Sequence, residues 1–338
     1  MIASLLIFLA NSGLCAGPAS GQIAFLAGTE QEDRCVYVAD VASGALTKVG
    51  QGRRDGAPTW SPDGAWLAYV TDGPEKGTGV RLVHADGTGE QILRHGAENV
   101  TGPARWSPDG SKLAYTSGEG LVQRVMVYDI KSGQEAAWGG DKLPLLHPVW
   151  VNDTQMVAVG VVGLPGEQTT DLYWVTPKGA NPAAELLAST GIYAEWAPAV
   201  DREGGAIAYE SNDGGDREVF VHVMKRGTVD VSNHRTPDWN PVVSPDGAWV
   251  AFESFRKGRR GIFRVNPMRV LVYEVAASAN WDDWAPTWSP DSEWLAFISN
   301  RTGTPKLHVT DLTGESVKAL TDHNLQDLAP AWRPESKN

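Results

Sequence analysis

Five carboxylates recur at one place in a repeated pattern. Asp55, Glu195, Asp238, Asp283 and Asp327 each stand three residues before a proline, namely Pro58, Pro198, Pro241, Pro286 and Pro330. In three consecutive repeats a tryptophan follows the acid: Trp196 after Glu195, Trp239 after Asp238 and Trp284 after Asp283. Carboxylates beside indoles can receive a cation, a basic peptide segment through charge and cation–π contact, or a sugar stacked on the ring. The same residues also suit a purely architectural role, in which each acid caps the backbone amides of its own loop and each indole wedges between repeats. The two uses differ in where the loops stand, so the elements that carry them come next.

Each proline leads into an anchor residue and a turn. The clearest copy is Pro58-Thr59-Trp60-Ser61-Pro62-Asp63-Gly64, with related copies from Trp106, Val243 and Trp288 and worn ones at Trp150, Val200 and Trp332. Successive anchors lie 46, 44, 50, 43, 45 and 44 residues apart. A fixed period of this size marks a repeat architecture whose units bury their apolar faces only by stacking. Ser-Pro-Asp-Gly is turn chemistry, because proline presets φ and aspartate and glycine suit the following positions. After the turn comes an apolar-Ala-apolar or apolar-Ala-aromatic triplet, found seven times: at Ile23, Leu67, Leu113, Val157, Ile207, Val250 and Leu295. Third strands rich in β-branched and aromatic residues follow, such as 80–84, 125–129, 172–175, 219–224, 262–265 and 307–310.

The first unit lacks a Trp-Ser-Pro strand, and Ala331-Trp332-Arg333-Pro334 is such a strand with nothing after it. The two ends complete each other. The expected fold is therefore all-β: a seven-bladed β-propeller of four-stranded antiparallel blades, closed by the C-terminal strand, with six blades as the alternative. Residues 21–338 form the propeller domain. In such a ring the loops entering the innermost strands share one face beside the central channel, which places the five acids and three tryptophans there as candidate binding residues.

Hydrophobic content of 42%, 14 Trp, 37 Gly and 21 Pro fit a packed β protein with many turns. A net charge of -12 disfavours nucleic acid or an anionic membrane as partner and favours a basic one. Residues 2–10 are an apolar run followed by small residues, too short to span a bilayer, so residues 1–20 are expected to be a cleaved signal peptide and the mature chain to lack a transmembrane segment. Cleavage would leave Cys35 alone, at the head of a strand, as a buried inert thiol.

The Pro-x-Trp-Ser-Pro-Asp-Gly, Leu-Ala-Tyr/Phe and His-x-x-x-Asp-x-x-Pro pieces, the last at His234 to Pro241 and His323 to Pro330, resemble the β-propeller repeats of the TolB-like family, relatives of WD-repeat propellers. That resemblance implies a non-catalytic, periplasmic or otherwise exported scaffold that binds a protein or peptide in a cell-envelope complex. Here it would be the propeller alone, without the α/β domain that precedes it in TolB. The same blade type is used by oligogalacturonate lyases, seven-bladed and metal-dependent, which gives a carbohydrate-binding or lyase alternative. No catalytic residue and no cofactor is indicated, although a cation could sit at an acidic channel mouth.

Other candidates are weaker. The loop Arg256-Lys257-Gly258-Arg259-Arg260 falls on the same face and either neutralises the acids, contacts a partner or is solvated. Asn212-Asp213-Gly214-Gly215-Asp216 lacks the ligand spacing of a calcium loop. Of seven histidines, His95, His147, His234 and His323 lie near entry loops, but no two share metal-binding spacing on one element. Gly-x-Ser-x-Gly, His-Glu-x-x-His and Cys-x-x-Cys are absent from the sequence.

Overall fold

The computed structural model describes residues 19–29, 33–52, 54–72, 78–95, 99–118, 122–140, 143–163, 168–182, 193–213 and 215–335. The apolar run at residues 2–10, and with it most of the expected signal segment, lies outside the described residues.

Among the described residues, seven four-stranded antiparallel sheets account for every strand; six run from the innermost strand outward along the chain, and blade 1 takes its innermost strand from the C-terminal end. The innermost strands are Gln326–Trp332 in blade 1, Thr59–Trp60 in blade 2, Val100–Trp106 in blade 3 and Leu145–Asn152 in blade 4. Glu195–Val200, Asp238–Val243 and Asp283–Trp288 complete the set in blades 5, 6 and 7. Blade 1 is closed as the sequence predicts: Gln326–Trp332 pairs antiparallel with Gln22–Gly28, matching Ile23 to Trp332 and Ala24 to Ala331. Seven blades, not six, make the ring.

The Ser-Pro-Asp-Gly turn is held by its own side chains. Ser61 Oγ donates to Asp63 and accepts the Trp66 N–H at 2.9 Å, and Gly64 N–H returns to the Ser61 carbonyl at 2.8 Å. Gly64 sits at φ 69°, a left-handed value that glycine adopts without strain.

The triplet after the turn shows how blades stack. Ile23 and Phe25 pack with blade 7 residues, whereas Ala24 packs with Leu67 and Tyr69 of blade 2. Side chains alternate across a sheet, so each blade offers large residues backward and an alanine forward. Large then meets small at the interface, which is the condition for two twisted sheets to interlock without voids.

Blade 4 departs from the expected triplet. Its anchor Trp150 pairs with Met156, not Val157, because the hairpin closes one residue early between Asn152 and Gln155. The triplet in register is therefore Met156-Val157-Ala158, and a slip of one residue turns Val157 and Val159 toward blade 5.

The anchor tryptophans bolt neighbouring blades together. The indole N–H of Trp60 donates to the Ala331 carbonyl at 3.0 Å, Trp150 to Arg105 at 2.9 Å and Trp288 to Val242 at 3.0 Å. In each case the acceptor stands directly before the anchor of the preceding blade. A buried indole needs such a partner, and the carbonyl is available because it faces away from its own sheet's ladder.

Candidate functional site

All five entry acids are buried, at most 2% exposed. The expectation of a ring of open carboxylates at the channel mouth is not how the structure places them: they lie beneath the rim. Three stand opposite a serine in the cross-strand register, Glu195 to Ser211, Asp238 to Ser254 and Asp283 to Ser299. Asp55 accepts the Thr71 hydroxyl at 2.8 Å and the Val36 N–H of the preceding blade at 3.2 Å. Asp327 likewise accepts the Leu307 N–H of blade 7 at 2.9 Å, with His323 Nε2 3.3 Å away. Asp238 takes the Arg256 guanidinium and Asp283 that of Arg301 at 2.8 Å.

The backbone repeats the same connection. The N–H groups of Asp55, Asp238, Asp283 and Asp327 donate to the carbonyls of Arg34, Arg217, Arg260 and Pro305 in the preceding blades, at 2.7 to 3.1 Å. These four entry acids thus each join two blades, a wider reach than capping their own loops.

Burial sets their protonation. Loss of water raises Asp55, Asp238 and Asp327, against the hydrogen bonds and cations that favour the charged form. Among the described residues no cation pairs with Glu195; burial, the charge of Asp171 and a hydrogen bond with it push its pKa to about 8.

The tryptophans do stand together on this face, half-buried, but their faces are already occupied. Arg217 lies 5.0 Å over Trp196, and Arg260 sits between Trp239 and Trp284 at 5.6 and 5.9 Å. Arg301 covers Trp281 at 5.4 Å. Phe255, 41% exposed, leans on Trp239 with ring centroids 4.9 Å apart. The Arg256–Arg260 loop therefore neutralises acids locally: Arg256 reaches Asp238, Arg259 reaches Asp282 at 2.9 Å and Arg260 reaches Glu253 at 3.4 Å.

Glu210 and Glu253 were not singled out by the sequence reading. Both are buried and accept the N–H of a left-handed residue in the next blade, Asn240 at 2.7 Å and Ala285 at 2.9 Å. Arg217 and Arg260 balance them from above, at 3.3 and 3.4 Å. The available signal was a glutamate directly after the aromatic residue of the triplet in two consecutive repeats.

The histidines near the entry loops do not converge. His234 bonds Thr236 in its own turn, and His323 stacks on Phe25 at 6.4 Å; the side chain of His95 lies outside the described residues. Among the described residues no three His, Cys, Asp or Glu side chains are grouped to hold a metal ion. Asp213, Asp216, Glu218 and Asp230 line a small acidic pocket on blade 5, and Gly214 beside them lies outside the described residues. Cys35 is half-buried, donates to the Gly52 carbonyl at 3.0 Å and has its pKa raised by burial.

Inside the rim runs a central cavity of about 1080 Å3, lined by residues from all seven innermost strands.

Residues 227–338 match the family model of the TolB beta propeller domain. That part of the chain is similar to a TolB propeller. No curated protein matches the chain. Among solved structures, TolB from Acinetobacter baumannii is 15% identical, with 94% of this chain and 68% of that one covered at a TM-score of 0.62. The β-propeller domain of the Trilobed protease from Pyrococcus furiosus gives 14% identity, 90% and 96% coverage and a TM-score of 0.70. An oligogalacturonate lyase in complex with manganese gives 17%, 86% of each chain and 0.67. At these identities the TolB-type likeness establishes the fold, and one fold carries many functions.

Proposed function

We propose that this chain is an exported propeller scaffold of TolB type that holds a protein or peptide partner on the entry-loop face of blades 5 to 7. What supports this is the arc of indoles already stacked under guanidinium groups, from Trp196 with Arg217 to Trp239, Arg260 and Trp284. Trp and Arg dominate the energetics of protein interfaces, and here both are fixed before a partner arrives, so little side-chain entropy remains to be lost on docking. Because the five entry acids lie below and the arginines above, a basic segment meets no open carboxylate among them. The partner would instead lay flat apolar and hydrogen-bond-accepting groups on the arc. Export rests on the apolar run at residues 2–10.

No specific observation favours the carbohydrate alternative, and no cofactor is invoked. The test is a cross-linking capture from cell-envelope extract, comparing wild type with Trp239→Ala combined with Trp284→Ala, and separately with Phe255→Ala, whose ring is exposed enough to remove without leaving a cavity. An identified partner that is lost with both variants, while their melting stays cooperative, is the expected result. Capture unchanged by either variant would place the interface elsewhere.

A further inference from the structure

The seven-fold repeat permits a comparison of equivalent positions around the channel. Directly before the anchors stand Thr59, Val149, Ala199, Val242, Thr287 and Ala331, all small and uncharged, and in blade 3 Arg105. Arg105 lines the central cavity and is open to it. No carboxylate among the described residues pairs with its guanidinium, and burial within the ring, with no neighbouring charge to offset it, lowers its pKa. The three acids of the cavity wall are committed elsewhere, Asp63 to the Ser61 turn, Asp109 to the Ser107 turn and Asp201 to the Ala206 N–H. Nor can the entry loops supply a counter-ion, since the position five residues before the anchor is Thr101 in blade 3 and Leu145 in blade 4. The two blades without an entry acid are the one that carries this cation and its neighbour.

The backbone that carries it is held in place. Its strand pairs Arg105 with Ala114, and its carbonyl accepts the Trp150 indole. His147, from the adjoining strand of blade 4, feels the charge, which together with burial lowers its pKa and keeps it neutral.

A guanidinium that faces the channel without a counter-ion presents a planar donor pair that fits a carboxylate. The cavity wall on either side of it, in blades 2 and 4, presents Trp60, Leu82, Val149 and Trp150. Of its two threonines, Thr59 already donates its hydroxyl to the Ala104 carbonyl at 2.6 Å. A sugar acid would leave its hydroxyls unpaired there, whereas an apolar body would not. We propose that Arg105 is the receptor for a single carboxylate inside the channel, carried by a ligand whose body is apolar. This site is separate from the indole arc on the rim and does not depend on it.

Two sources share that chemistry, a peptide C-terminus and a short acyl chain. The probes are N-acetyl-leucine for the first and hexanoate for the second, with hexanamide as the uncharged control and galacturonate as the hydroxylated one. Calorimetric titration of the full chain is expected to show saturable binding of at least one of the first two and none of hexanamide. Arg105→Gln should weaken that binding by about tenfold or more, as loss of a charge-assisted pair does, and Arg105→Lys by less. Arg105→Gln should melt no lower than wild type, because a binding residue without a counter-ion does not stabilise the empty ring. Tighter binding of N-acetyl-leucine assigns the peptide source and of hexanoate the acyl source. Equal binding by wild type and Arg105→Gln, no binding of either carboxylate, tighter binding of galacturonate, or a lower melting temperature for Arg105→Gln would each overturn the proposal.

Discussion

Glu195 carries a proton at neutral pH, and that makes it a stability determinant with a definite sign. Its folded pKa of about 8 lies above the ordinary 4.5, so the folded state binds the extra proton between those values. Its contribution is full below about 4.5 and is lost as pH climbs through 8, when a second charge must form beside Asp171. Glu218, raised to about 7 by burial, acts in the same direction at slightly lower pH. Denaturant midpoints measured from pH 5 to 9 should therefore fall as pH rises. Glu195→Gln should flatten that fall and exceed wild type at pH 9, while matching it near pH 5; an unchanged slope would mean that Glu195 titrates as an exposed carboxylate does. None of this could be read from the acid's place before Pro198, since its environment comes from Asp171, an earlier blade's residue, and from Ser211 across the strand. Asp55 and Asp327 make the same point, with partners 19 and 20 residues away. The position of each acid was legible. Its burial was not, because burial belongs to the ring and not to the loop.

At the scale of the strand and turn, the sequence was far more informative, since Ser-Pro-Asp-Gly builds its turn from four adjacent residues and needs no distant partner. The blade 4 slip marks the limit of that legibility: Val157-Ala158-Val159 has the expected composition, but a hairpin shorter by one residue puts it out of register. Worn turns also carry constraints that composition hides. Gly204 adopts φ 70°, and a Cβ there would lie 2.3 Å from the Val151 carbonyl oxygen of blade 4. Gly44, at φ 73°, has open space around the same position. Gly44→Ala should then cost only the left-handed strain, about 1 kcal/mol. Gly204→Ala should cost that plus a backbone collision, about 2 kcal/mol or more, and move blade 5 against blade 4. Urea denaturation of the two variants compares conformation with contact directly, and equal losses would show that the turn yields without disturbing the interface.

Closing the molecule into a ring changes what one strand is worth. In an open solenoid a terminal strand supports one neighbour, and its loss frays one end. Here Gln326–Trp332 supports two interfaces, since its Ala331 carbonyl receives Trp60 of blade 2 and its Asp327 receives the Leu307 N–H of blade 7. Removing residues 326–338 would therefore expose the edge of Gln22–Gly28, whose last six residues are all buried, and release both bonds at once. It would also open the channel wall at Ala331 and with it the enclosure around Arg105. The truncated chain should lose its cooperative transition and self-associate through the bared strand, and a synthetic peptide of residues 326–335 added in trans should restore a monomer that melts as one unit. Size-exclusion chromatography with parallel thermal melts decides this. A truncated chain that stays monomeric and melts cooperatively would mean that six blades hold their curvature alone, with the last strand a latch on a ring that is already stable.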